Sequence, residues 1–215
     1  MQRRALVIAI YDPKWFLKVL GVLRRRDLLF QHYYTSDKVP YSSVVYTDFN
    51  LVLKELSGRG DLLVVYDPDK SCRKVEEAIL ASHMIGGYAN IVMGIDPGSV
   101  LSYVFLGDDQ LIFYGEGGLR ELEDDLSYVL SCIPFEKVKI KIGAGPKSIN
   151  IIEFLKKKFN LSSIELVDEA ETSPRKRRIE EAIYSSRRLK GLKPFRHRDI
   201  YAAYKIALSK GVEVV

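Results

Sequence analysis

The sequence predicts an α/β protein: a small parallel α/β domain, then a mixed sheet of three antiparallel strands followed by parallel ones, flanked by helices. Three observations carry this. Over residues 1–84, short apolar runs alternate with segments of helical period, the pattern of a parallel layer. From residue 90 three strand-like runs follow each other across tight turns, which is the mark of an antiparallel meander. Beyond it, helix and strand patterns alternate again. Gly86-Gly87 reads as a linker, so the expected domains are 1–86 and 88–215.

The chain has 215 residues, 47% hydrophobic and 28% charged, which is enough apolar material for a core. No run approaches the roughly 18 apolar residues of a membrane helix. The start, Met1-Gln2-Arg3-Arg4, leads straight into a strand-like run and does not resemble a signal peptide, so a cytoplasmic location is expected. Cys72 and Cys132 each lie within an apolar-periodic segment and are expected to be buried free thiols. Few Gln with abundant Tyr, Lys, Arg and Glu is a thermophile's composition. The net charge of +5 permits a nucleic-acid partner. Its distribution says more, since residues 175–198 hold ten Lys/Arg against two Glu.

Residues 5–11 form an apolar run expected to be a buried strand. Asp12 then suits a helix cap and Pro13 a first helical position. The helix to about Arg25 carries Phe16, Val19, Leu20 and Leu23 at helical spacing. Leu28–Tyr34 reads as a second strand and Ser43–Tyr46 as a third, with Thr47-Asp48 capping a helix to about Leu56. Leu62–Tyr66 is the fourth strand, followed by Asp67-Pro68 and a helix over Ser71–Met84. Three strands thus end alike, in Asp-Pro at 12–13, 67–68 and 96–97. For Asp12 and Asp67 the capping role is preferred.

Strands 90–95, 101–106 and 110–114 make the meander, with Gly107-Asp108-Asp109 turning between the last two. Leu119–Cys132 reads as a helix. Val138–Ile142 is a strand ending in Gly143-Ala144-Gly145-Pro146, and Ile149–Phe159 is a helix with Lys156-Lys157-Lys158 near its C-terminus, where cations complement the dipole. Ser163–Val167 is a strand. Ser173-Pro174 opens a basic helix to about Leu189, and Arg198–Ser209 is the last helix.

The chemistry gathers around Gly94-Ile95-Asp96-Pro97-Gly98-Ser99, where an apolar strand ends in a carboxylate and turns at once. This stretch resembles the first-strand motif of the RuvC-type Holliday-junction resolvases and YqgF-like nucleases, within the ribonuclease H-like superfamily. Gly143-Ala144-Gly145-Pro146 is similar to the Gly-x-Pro element of the YqgF-like group. Val167-Asp168-Glu169-Ala170-Glu171-Thr172-Ser173 is similar to that group's Asp-Glu-Arg-x-Thr-Thr/Ser signature. Arg198 to Leu208 resembles its last helix, an Asp followed by Ala-Ala and an aliphatic residue. The resemblance spans residues 90–210 and says nothing of residues 1–84. Two positions depart from it: Ala170 stands in place of the Arg, and the loop after the fourth strand carries no acid.

The resemblance implies a metal-dependent nuclease. Asp96, Glu169 and Asp199 are the expected catalytic residues and ligands of Mg²⁺ or Mn²⁺, with Asp168 a supporting acid behind them. The residue types suit that chemistry, because hydrolysis of a phosphodiester needs a charge-neutralising cation and an activated water, and converging carboxylates hold such ions. A plainer role stands beside each. Asp199 could merely charge the first turn of its helix, and Asp168 or Glu169 could merely face solvent. His32, His83 and His197 are scattered, so no zinc site is expected. Arg175, Lys176, Arg177, Arg178, Arg187, Arg188, Arg196 and Arg198 are the expected phosphate contacts, unless the run is only a solvated face.

The expected function is therefore hydrolysis of phosphodiester bonds in structured DNA or RNA, with no membrane partner and a homodimer left open. The alternative is a non-catalytic nucleic-acid-binding module of the same fold. Asp-x-Gly-Ser also occurs in the actin-like ATPase fold, which needs two such domains and a second phosphate loop.

Overall fold

The computed structural model describes residues 4–159, 163–168 and 198–214. The chain packs as two units, Met1–Gly87 with Tyr128–Pro134, and Tyr88–Ser127 with Phe135–Val215.

In the first unit β1 (Leu6–Ala9), α1 (Pro13–Arg25), β2 (Gln31–His32), β3 (Val44–Thr47), α2 (Asn50–Leu56), β4 (Leu63–Tyr66) and α3 (Cys72–Ser82) follow in order. The four strands are all parallel, in the order β2-β1-β3-β4. Side chains alternate across the sheet, as strand geometry requires. Leu6, Ile8, Val44 and Tyr46 pack with Val19 and Leu23 of α1 and with Val75, Ala78 and Ile79 of α3. Val7, Ala9 and Val45 pack with Val52 and Leu56 of α2.

Two local readings change here. The second strand shrinks from the expected Leu28–Tyr34 to two residues. Leu28 is taken up in closing α1, its amide donating to Leu23 O across a left-handed Asp27 at φ 48°. Leu29 is then left 94% exposed. Nor does Asp48 cap α2. Thr47 Oγ1 accepts the Phe49 amide at 3.0 Å instead, and the Asp48 carboxylate reaches back to the Tyr11 and Asp12 amides at 2.7 and 3.2 Å.

The two cysteines are not free thiols. Cys72, at the start of α3, and Cys132 are joined by a disulfide, with Cα atoms 5.3 Å apart. Segment Tyr128–Pro134 packs with the first unit, which brings the two together across 60 residues of sequence. One helical turn along α3, the fully buried Glu76 pairs with Arg26 and accepts a 2.7 Å hydrogen bond from Tyr128 Oη.

The second unit contains β5 (Tyr88–Asp96), β6 (Leu101–Gly107), β7 (Gln110–Gly117) and α4 (Leu119–Cys132, the last turn packing with the first unit). Residues 128–132 of α4 belong to the first unit, and the second continues with β8 (Phe135–Gly143), α5 (Ser148–Lys158), β9 (Ile164–Val167), α6 (Arg198–Leu208) and β10 (Val212–Glu213). The sheet order is β10-β9-β8-β5-β6-β7. Strands β5, β6 and β7 pair antiparallel, and β8 and β9 continue parallel to β5. This is the mixed sheet that the sequence predicts, and it is compatible with a ribonuclease H-like fold. Asp108 and Asp109 turn the β6–β7 hairpin with φ of 46° and 63°, as a two-residue loop of this hand requires.

The faces of β6 alternate. Tyr103 Oη donates to the buried Asp125 of α4 at 2.7 Å, while Val104 and Leu106 pack with Ile200, Ala203 and Ala207 of α6. Helix α6 crosses so near β5 that any Cβ on Gly94 would collide with Ala203 O and the Ala207 amide. No helix among the described residues is long and apolar enough to cross a membrane.

Candidate active site at the carboxyl edge of the mixed sheet

Parallel register brings the C-terminal ends of β5, β8 and β9 to one edge. Ile95 stands opposite Ile142, and Gly143 opposite Val167. Asp96 is therefore the last residue of the central strand, half-buried, level with Gly143 on one side and paired with the buried Ser102 on the other. Asp168 follows β9 directly and is exposed at that edge. With strands about 4.8 Å apart, the backbones at Asp96 and Asp168 are roughly 10 Å from each other, with β8 between them.

The loop between β8 and α5 is tightly built. Ala144 N donates to Val167 O at 2.7 Å, tying the loop to the end of β9. The Ser148 hydroxyl, buried in the first turn of α5, donates to Gly143 O at 2.6 Å and accepts the Gly145 amide at 2.7 Å. Lys147 Nζ reaches the turn after Asp96, donating to Gly98 O at 2.9 Å and lying 3.3 Å from Ser99 O. Reading the motif as Gly143–Pro146 stops one residue short of this contact. A lysine placed after Gly-Pro at a helix start is the signal that marks it.

Asp199 is the second residue of α6 and exposed, on the helix seated against β5 at Gly94. Arg198, beside it, is also exposed. Glu169 lies outside the described residues, as do Arg175, Lys176, Arg177, Arg178, Arg187, Arg188 and Arg196. Among the described residues, no three His, Cys, Asp or Glu side chains are grouped to hold a metal ion.

The other Asp-Pro strand ends hold structure. The Asp12 carboxylate caps α1, accepting the Lys14 and Trp15 amides at 2.8 and 3.2 Å, and meets Lys70 Nζ at 2.5 Å. The Lys70 hydrogen bond, helped by those amides, lowers the Asp12 pKa to about 2. Asp67 is buried and accepts Tyr46 Oη at 2.6 Å and the Ser71 amide at 2.8 Å. The cap of α3 is Ser71, accepting the Arg73 amide at 3.2 Å, so the capping role expected of Asp67 passes to the serine. Burial, then the neighbouring Asp67, pushes the Tyr46 phenol upward.

No family model matches the chain. No curated protein matches it either. Among solved structures, it is similar to Marinitoga piezophila Argonaute in complex with 5′-OH guide RNA, at 12% identity and a TM-score of 0.29, over 78% of this chain and 40% of that one. The same Argonaute with guide RNA and target DNA gives 11% identity and a TM-score of 0.29, over 78% of this chain and 39% of that one. The chain thus spans about two fifths of the length of these proteins.

Proposed function

We propose that the second unit is a metal-dependent nuclease that hydrolyses phosphodiester bonds in structured DNA or RNA. The observation that supports it best is Asp96, a half-buried carboxylate ending the central strand of a mixed sheet whose parallel neighbours finish at the same edge. The donors there are carboxylate oxygens, hard ligands that suit Mg²⁺ or Mn²⁺, while the cysteines are engaged in a disulfide of the first unit. Asp96, Glu169 and Asp199 are the residues that would hold the ion, with Asp168 supporting them from the end of β9. The chemistry that such an ion would supply, when bound, is activation of the attacking water and stabilisation of the leaving oxygen. Asp96 presents its carboxylate from a rigid strand end, and Lys147 braces the turn behind it. Arg175, Lys176, Arg177, Arg178, Arg187, Arg188, Arg196 and Arg198 would hold the substrate backbone.

Asp96→Asn tests this, with cleavage of a four-way DNA junction and of single-stranded RNA measured in Mn²⁺. The wild type is expected to cut and to melt at a higher temperature with the cation. The variant is expected to do neither while keeping its fold, because a neutral amide no longer binds the ion. A wild type that cuts neither substrate, or a cation shift equal in both proteins, overturns the reading.

The second reading is a binding module of the same fold. One observation favours it: the loop after β8, which ends at the same edge, brings a lysine and no carboxylate.

A further inference from the structure

Lys147 holds an unusual position for an exposed lysine. Its ammonium is fixed across the carboxyl edge of the sheet, between the loop after β8 and the turn after Asp96. Both acceptors are backbone carbonyls, and among the described residues it forms no ion pair. Carbonyl acceptors orient an ammonium without neutralising it, so a full positive charge stays at this edge. An ammonium carries three N–H donors, and the two carbonyls leave one over.

The loop that presents it is anchored on both sides, by Ala144 to β9 and by the buried Ser148 to its own strand end. A cation held this way loses little freedom when a ligand arrives. The strand ends on either side of the loop bring Asp96 and Asp168 to the same edge, and the ammonium sets a positive charge there.

From these features we propose that Lys147 binds a backbone phosphate of the nucleic acid at this edge, and that its spare donor makes the contact. The loop after β8 then supplies a fixed positive charge to the candidate site. This rests on the nucleic-acid reading above and adds the residue that receives a phosphate beside Asp96.

The test is binding of a fluorescein-labelled 30-nucleotide single strand, as DNA and as RNA, by the full chain in EDTA over a range of KCl. Lys147→Gln is expected to make the negative slope of log K against log salt shallower by roughly 0.7, the value for one phosphate contact on a single strand. Lys147→Arg, which keeps the charge, is expected to retain the slope. Weakened binding by Lys147→Gln with an unchanged slope means that the lysine only braces the turn, and overturns the proposal. Equal loss of slope in Lys147→Gln and Lys147→Arg overturns it too, since charge would not be what matters. No cation takes part in this assay, so it is separable from the nuclease test. A wild type that never cuts, yet loses slope on Lys147→Gln, sinks the nuclease reading and leaves the phosphate contact standing.

Discussion

Asp12, Asp48 and Asp67 stand at the carboxyl ends of three neighbouring parallel strands, yet each carboxylate is engaged in holding backbone or a buried phenol. At this scale the pH dependence follows from Asp12. Its pKa is lowered from 3.8 to about 2 in the folded chain, so its contribution to stability is complete above about pH 4 and fades as pH falls toward 2. The melting temperature is expected to fall across that window and to fall less in Asp12→Asn, the two proteins converging near pH 2. Asp61, lowered to about 2 by Arg59, has the same sign and leaves the variant a residual slope. Calorimetric scans between pH 2 and 6 check this. The capping role of Asp12 was legible because Asp-Pro before a helical run satisfies local rules alone. The bracing role that Asp48 has instead of its expected cap was not, because its partners, the Tyr11 and Asp12 amides, are 37 and 36 residues away.

Helices α3 and the end of α4 meet through two rungs, Cys72 with Cys132 and Glu76 with Tyr128. In each segment the two residues are four apart, and the order of pairing runs residues 128–132 antiparallel to α3 within the first unit. Reduction is expected to lower stability by about 2–4 kcal/mol. Glu76→Ala, which removes the fully buried carboxylate that pairs with Arg26 and accepts from Tyr128 Oη, is expected to cost about 3–5 kcal/mol. Urea unfolding of wild type and Cys72→Ser with and without reductant, and of Glu76→Ala, measures both. A wild-type midpoint unmoved by reductant would remove the first rung. Helix 119–132 was readable to the residue because Leu122, Leu126 and Val129 recur at helical spacing and are all fully buried. The pairing of its last cysteine was not readable, since nothing local in either helix names a partner 60 residues distant.

Over the whole molecule, the two sheets were legible in kind and in the succession of their elements along the chain, because each announces itself through its connections. Helical crossovers mark the parallel layer, and tight turns mark the meander. What escaped was β10, since two exposed residues carry no periodicity. Of the candidate site, Asp96 and Asp168 come to one edge through strand register, and what the sequence offered was that each follows a short apolar run. The reach of Lys147 was not legible, because its bond to Gly98 spans 49 residues. The short β10 closes the outer side of β9 through Val212 opposite Leu166 and Glu213 opposite Glu165. Its consequence lies in how the protein tolerates shortening. A chain ending at Ser209 would bare a row of unsatisfied amides and carbonyls along β9, a template on which a second copy can add its own strand. Such a truncation is expected to elute in size-exclusion chromatography as larger species, more dependent on concentration, than the 215-residue chain does.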